Sequence, residues 1–286
     1  MYVIRKKEKL NKNVFSMEIE APLVARAAKP GQFIILRVDS ESERIPLTVS
    51  GTDKDLGTVR IVFAAVGATT LKLSRLSEGE SLSDFAGPLG MPTEIEEIKS
   101  ACVVGGGVGC AIALPIARAL KEKGACVDSV IGFRSSDLVI LEEDFIKSSD
   151  NVYLVTDDGS AGEAGKVTDP LERILGAGKK YDMIYAIGPL VMMKYVTETA
   201  KKYDIPCTVS MNPIMIDGTG MCGGCRLTLN RDGKKVISFA CVEGPDYNGY
   251  EVDFDDAISR SRQYIDFERH AYEKECNLFG GVDNNG

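Results

Sequence analysis

The sequence contains no tryptophan and a single histidine, His270. A zinc centre built on histidines is thereby excluded, and one built on cysteines needs its fourth ligand from elsewhere. Positive charge is also scarce. Thirty-four Lys and Arg stand against 42 Asp and Glu, for a net charge of −8. The basic footprint of a nucleic-acid binder is absent, so we expect no nucleic-acid partner. No apolar run reaches the length of a bilayer span, so we expect no membrane insertion. The opening Met1-Tyr-Val-Ile-Arg-Lys-Lys7 lacks the charged-then-apolar order of an export signal. Internal repeats and low-complexity tracts are missing as well. Cysteine, by contrast, is plentiful at eight residues. Without a sign of export, that number points to a reducing cytoplasm and to metal chemistry, not disulfides.

Two cysteines sit in a glycine-rich stretch, Asp217-Gly-Thr-Gly-Met-Cys222-Gly-Gly-Cys225. A third answers from Phe239-Ala-Cys241-Val-Glu-Gly-Pro245. Read with Asp217 in front, the pattern is D-x4-C-x2-C-x15-C. Plant-type [2Fe–2S] centres use C-x4-C-x2-C…C, and only the first position differs. Such a loop must curl around a small iron core, and glycines permit the positive φ and close approach this needs. Asp217, Cys222, Cys225 and Cys241 are the candidate metal ligands. A carboxylate in the first place keeps the formal charge of a thiolate. Other readings stand beside this one: a redox dithiol, a zinc site, or cysteines that only pack. Asp before Gly is also an ordinary turn residue, and Cys207 is a substitute candidate for the first ligand.

At 286 residues the chain is long enough for two domains with sizeable cores. Residues 1–97 read as all-β, with β-branched runs at 14–19, 32–38, 47–50 and 58–64 separated by turn signals. A small antiparallel barrel is expected there. One helical turn is expected over 69–76, with Leu71, Leu73 and Leu76 facing the core. From 98 to 206, strands alternate with helices. Strands are expected at 101–104, 127–133, 152–156 and 183–187, and helices at 111–123, 139–145, 170–175 and 190–203. This alternation predicts a doubly wound parallel sheet with helices on both faces. Residues 207–258 form a small C-terminal unit: a last parallel strand at 207–210, the cysteine loop, and a hairpin turning at Asn230–Gly233. Residues 259–275 predict a charged surface helix, and the glycine- and asparagine-rich end a frayed tail.

Gly105-Gly-Gly-Val-Gly109 falls between a strand and a helix. Glycines there let a pyrophosphate reach the backbone and the helix N-terminus, although glycine turns also serve packing alone. No acid ends the second strand to hold a ribose. Arg134 stands nearby instead, as a partner for a 2′-phosphate or as a plain surface arginine. Arg44-Ile-Pro-Leu-Thr-Val49 offers a guanidinium fork for phosphate, and Val66-Gly-Ala-Thr-Thr70 opens a helix with two hydroxyls. The competing readings are an edge strand and an ordinary helix cap.

Barrel, nucleotide domain and cysteine loop, in that order, resemble the ferredoxin–NADP reductase superfamily. Within it the chain is similar to the electron-transfer subunits of dihydroorotate dehydrogenase. It is similar also to the small subunits of NADH-dependent reduced ferredoxin:NADP oxidoreductases. The motifs that carry this resemblance are those above, with Gly87-Pro-Leu-Gly90, Thr156-Asp-Asp-Gly-Ser160, Gly165-Lys-Val-Thr-Asp169 and Ile187-Gly-Pro-Leu-Val-Met-Met193. The resemblance implies FAD against Arg44, Pro46, Leu47, Thr48 and Val49, with Val62, Phe63 and Ala64 beside them. It implies the FAD pyrophosphate at Gly67, Thr69 and Thr70. It implies NAD(H), or NADP(H), bordered by Gly106, Gly107, Val108, Gly109, Arg134, Asp157, Gly188 and Pro189. The implied role is an electron-transfer subunit that passes electrons between NAD(H), FAD and a [2Fe–2S] cluster. The implied partner is a larger flavin- and iron–sulfur-containing subunit that exchanges with ferredoxin and bifurcates electrons at its own flavin. The alternative partner is dihydroorotate dehydrogenase. Two positions depart from the usual patterns: Ile45 is inserted before Pro46, and Asp217 replaces the cysteine of the dihydroorotate dehydrogenase subunits.

Overall fold

The computed structural model describes residues 2–280, with side chains through Cys276. The tail expected to fray lies, beyond Gly280, outside the described residues. The chain begins with β1 (Tyr2–Lys9), β2 (Val14–Glu20), α1 (Pro22–Ala27), β3 (Phe33–Arg37) and β4 (Ile45–Asp53). Next come β5 (Thr58–Ala64), α2 (Ala68–Arg75), β6 (Ser81–Leu82) and β7 (Asp84–Leu89). The seven strands form one antiparallel sheet in the order β6-β1-β2-β5-β4-β3-β7. Its two edge strands are separated in sequence by Ser83 alone, so the sheet curls round into a nearly closed barrel. Inward residues alternate as the pleat requires: Val59, Ile61 and Phe63 from β5 meet Ile34 and Leu36 from β3. The short α1 was not expected. Pro22 pre-sets its first turn, and Val24 and Ala25 bury its inner face. In α2, Leu73 is fully buried, whereas Leu71 and Leu76 are only half-buried.

The second unit runs β8 (Ser100–Gly106), α3 (Cys110–Glu122), β9 (Cys126–Phe133), α4 (Glu142–Ser148), β10 (Asn151–Thr156), β11 (Glu163–Ala164) and α5 (Thr168–Gly176). It continues through β12 (Met183–Ile187), α6 (Leu190–Lys202) and β13 (Cys207–Ser210). These strands are parallel, in the order β11-β10-β9-β8-β12-β13. The order reverses between β8 and β12, which makes their carboxyl ends the switch point where doubly wound sheets bind ligands. Helix α3 is buried along most of its length, as its apolar sequence predicts. Helix α4 starts later than its sequence suggested, because Leu141 takes a left-handed conformation, φ +60°, just before it.

The hairpin β14 (Arg226–Arg231) and β15 (Lys234–Phe239) follows. It turns on Asp232 and Gly233, at φ +50° and +73°, the left-handed pair a tight hairpin needs. Strand β16 (Asp246–Asn248) then returns antiparallel to β13, stitching the cysteine unit to the sheet edge. The single helix expected over 259–275 is two, α7 (Phe254–Ser261) and α8 (Ile265–Gly280). Residues 261–270 are exposed, as a solvated face should be. Glu275 is not: it is buried against α2, where it pairs with Arg75 at 3.2 Å. Among the described residues no helix is long and apolar enough to cross a membrane.

Candidate functional site

A cleft of about 710 Å³ opens at the switch point, between the barrel and the parallel sheet. It gathers Ala64 with Gly106, Gly107, Val108, Gly109, Arg134, Asp157, Gly188 and Pro189, all expected site residues. The glycines divide by neighbour. Gly107, at φ +56°, faces open space, so its backbone is accessible. Gly109 packs against β12: a Cβ there would lie 2.6 Å from the Ile187 carbonyl oxygen. Its role is close helix–strand approach. Gly106 and Gly188 lie under Met192, whose Sδ and Cε stand 2.3 and 2.8 Å from where their Cβ atoms would be. Asp157 is not a lone acid, because Lys166 pairs with it at 2.9 Å across the cleft. Arg134 is exposed beside them.

The residues expected against FAD, Ala64 apart, lie on the barrel, outside this cleft. The pleat separates them. On β4, Leu47 and Val49 point into the barrel core. On β5, Phe63 joins the same core, and Val62 packs outward with Val14 against the α3 side of the sheet. Leu47, Val49 and Phe63 can therefore offer a ligand only their backbone. Pro46 and Thr48 have the opposite orientation. They sit directly across from Ile35 and Phe33, and directly opposed residues share a face. Arg44 donates to Asp84 at 3.4 Å, and Arg37 meets the same carboxylate oxygen at 2.8 Å. Thr70 closes the start of α2: its Oγ1 accepts from the Gly67 and Val66 amides at 2.9 and 3.1 Å. Thr69 is buried.

The cysteine loop lies against that outer barrel face. A Cβ on Gly218 would stand 2.7 Å from Leu89 and 2.8 Å from Ile35, so this close contact demands glycine. Strands β4, β3 and β7 are consecutive in the sheet. Ile35 is the direct cross-strand partner of Pro46, so the loop rests one strand, about 4.8 Å, from the Pro46–Thr48 face. Gly218, Gly220 and Gly223 all have positive φ, at 76°, 84° and 68°. Cys225 and Cys241 are buried, with their sulfurs 3.1 Å apart. Burial, and then contact with Cys225, pushes the Cys241 thiol up to about 12. Cys222 is exposed. Asp217 Oδ1 accepts from the Thr219 amide and Oδ2 from the Cys222 amide, both at 2.8 Å. These bonds, that of Thr219 first, hold its carboxyl below the usual range. Two of the four expected ligands are thus in contact, with the other two beside them on the rim. Among the described residues no three side chains close on a common metal position.

Comparison with known proteins bears directly on this loop. Residues 212–253 match the iron–sulfur cluster binding domain of dihydroorotate dehydrogenase B. A dihydroorotate dehydrogenase B electron transfer subunit homolog from Thermotoga maritima is 46% identical over 95% of this chain and 94% of its own. The electron transfer subunit of that enzyme from Shouchella clausii is 31% identical over 87% of this chain and 96% of its own. The chain belongs to the dihydroorotate dehydrogenase B electron-transfer subunit family. One similar solved chain comes from the NADH-dependent reduced ferredoxin-NADP oxidoreductase, studied for flavin-based electron bifurcation. It superposes with a TM-score of 0.90 at 44% identity, over 96% of this chain and 97% of that one.

In this family member the cysteine loop suits an iron–sulfur cluster by its own chemistry. Three thiols and a carboxylate are the donors the loop offers. The Gly224 and Cys241 amides point at the sulfurs of Cys222 and Cys225, at 3.5 and 3.4 Å. Amides so aimed tune a cluster. Each Asp217 oxygen accepts one amide and keeps a second lone pair. Sequence reasoning missed Lys166, Met192, Tyr195 and Ser210, which also line the cleft. Lys166 and Met192 fell within stretches that carry the family resemblance. The strand-to-helix turn after β12, which mirrors the one after β8, is the signal that points to Met192.

Proposed function

We propose that this chain is the electron-transfer subunit of a ferredoxin:NADP oxidoreductase complex, an oxidoreductase that works with NAD(H), FAD and a [2Fe–2S] cluster. Bound FAD would supply hydride exchange with NAD(H) and release of single electrons, and a bound [2Fe–2S] cluster would supply one-electron transfer. The protein's part is to bind, orient and insulate. Gly107 and the N-terminus of α3 offer amides to a pyrophosphate, and Arg134 and Lys166 supply the positive charge at the cleft rim. Pro46 and Thr48 face the flavin, Arg44 its phosphates, and the N-terminal amides of α2 its pyrophosphate. Asp217, Cys222, Cys225 and Cys241 hold the cluster. No acid–base catalyst is assigned.

The single observation that carries this reading is the seating of the cysteine loop on the barrel wall. Gly218, beside Asp217, rests on Ile35, one strand from the candidate flavin face. The exposed Cys222 faces solvent, where a second protein can approach. That partner is a larger subunit carrying flavin and iron–sulfur centres, in the cytoplasm. The choice of complex rests on the full-length likeness to the ferredoxin-NADP oxidoreductase chain. A second reading has its own support: the cysteine loop matches the dihydroorotate dehydrogenase B domain, and electrons would then pass between dihydroorotate and NAD. Anaerobic purification with intact partners separates the two. A larger co-purifying subunit that binds NADP and exchanges electrons with ferredoxin supports the first. One that oxidises dihydroorotate overturns it in favour of the second.

A further inference from the structure

Met192 lies across the floor of the cleft. Its thioether covers Gly106 and Gly188, with Sδ 2.3 Å from the first Cβ position and Cε 2.8 Å from the second. The ladder between the neighbouring strands β8 and β12 pairs Ile187 with Gly105; Gly106 ends β8 and Gly188 directly follows β12. Together they form a shelf of bare backbone beside the open Gly107. Met192 is the nearest neighbour of both positions; the next, Pro189 Cδ for Gly106 and the Gly106 Cα for Gly188, each lie at 3.2 Å. Glycine at both strand ends under a long, half-buried thioether makes a floor that one side-chain rotation uncovers. Methionine has three rotatable bonds and little shape preference. It also has a second resting place within reach. Tyr195, three residues on along α6, is 56% exposed and lines the same cleft. Residues three apart are neighbours on a helix surface, and a thioether makes favourable contact with an aromatic ring edge.

We propose that Met192 is a gate that sets access to the dinucleotide site. It lies on the glycine shelf in the free protein and moves onto the Tyr195 ring when the dinucleotide enters. This rests on the reading of the cleft as the nicotinamide dinucleotide site. The test is a calorimetric titration of NAD+ into the purified protein with its cofactors bound, with thermal midpoints as the check on folding. Met192→Ala removes the cover, and binding tightens about three- to tenfold, the scale of displacing one long side chain. Met192→Leu lacks the carbon over Gly188 and tightens binding by less. Tyr195→Ala removes the open resting place and weakens binding about threefold in the parent, but not in the Met192→Ala background. Unchanged or weaker binding in both Met192 variants overturns the gate. An equal loss from Tyr195→Ala in both backgrounds overturns it too, because the ring then touches the dinucleotide itself. If the unaltered protein binds no NAD+, the nucleotide reading of the cleft fails first.

Discussion

Gly107 and Gly109 are two residues apart and serve different ends. A methyl group on Gly109 would press on the Ile187 carbonyl at 2.6 Å. Gly109→Ala should therefore lower stability by about 1–3 kcal/mol, the usual penalty of overpacking, read from the denaturant midpoint. Gly107→Ala meets open space but must hold φ +56°. It should cost about 1 kcal/mol while weakening NAD+ binding more than Gly109→Ala does. The reverse ranking in affinity would assign the phosphate contact to Gly109. The sequence makes the glycine turn legible between a strand and a helix. It leaves the division of labour hidden, because Ile187 and Met192, some 80 residues on in the chain, decide which glycine is free and which is covered.

Among the elements, the central strands and long helices follow from their sequence patterns. Strand β12 and strand β13 begin and end where expected. Short or charged elements, α1 and β1 among them, did not. Helix α1 has six residues and no side-chain cap, and β1 alternates poorly, with charge on both faces. The 44–49 stretch was legible as a strand, but not which of its side chains face inward. Its pleat puts Leu47 and Val49 in the core and leaves Pro46 and Thr48 facing out. The cysteine loop was legible as an iron–sulfur segment, because its spacing and glycines stand out in the sequence and residues 212–253 match that domain. Its first donor is testable. Asp217→Ala should lose most of the iron, and Asp217→Cys should retain a cluster at a shifted potential. Iron analysis and potentiometry check both. Full iron content and an unshifted potential in both variants would remove Asp217 from the ligand set and leave it as the turn residue its amide bonds already make it.

At the scale of the molecule, three units meet at one seam. Met91 donates from the barrel exit to the Gly244 carbonyl at 2.7 Å, and Met211 donates to Pro245 at 2.8 Å. Asp246 is buried in this seam. Its Oδ2 accepts from Thr93 at 2.6 Å, and its Oδ1 makes no hydrogen bond. Burial pushes its carboxyl up. Because the folded group holds its proton more tightly than the unfolded one, its neutral form supports folding fully at low pH. That support fades as pH climbs from about 4, where the unfolded chain ionises. Asp246→Asn keeps the neutral shape, so it should gain stability relative to the parent as pH rises toward 8. Denaturation midpoints across that range give the answer, and a constant offset would mean that Asp246 is ionised in the seam. None of this is visible in sequence, where Asp246 follows Gly244-Pro245 like any turn acid.

The central claim is an electron path from nucleotide to flavin to cluster. The most direct test is an anaerobic visible and EPR spectrum of the purified chain with its partners, before and after NADH. The account predicts flavin bands that bleach and a rhombic [2Fe–2S] signal that grows. A colourless protein holding stoichiometric zinc would contradict it.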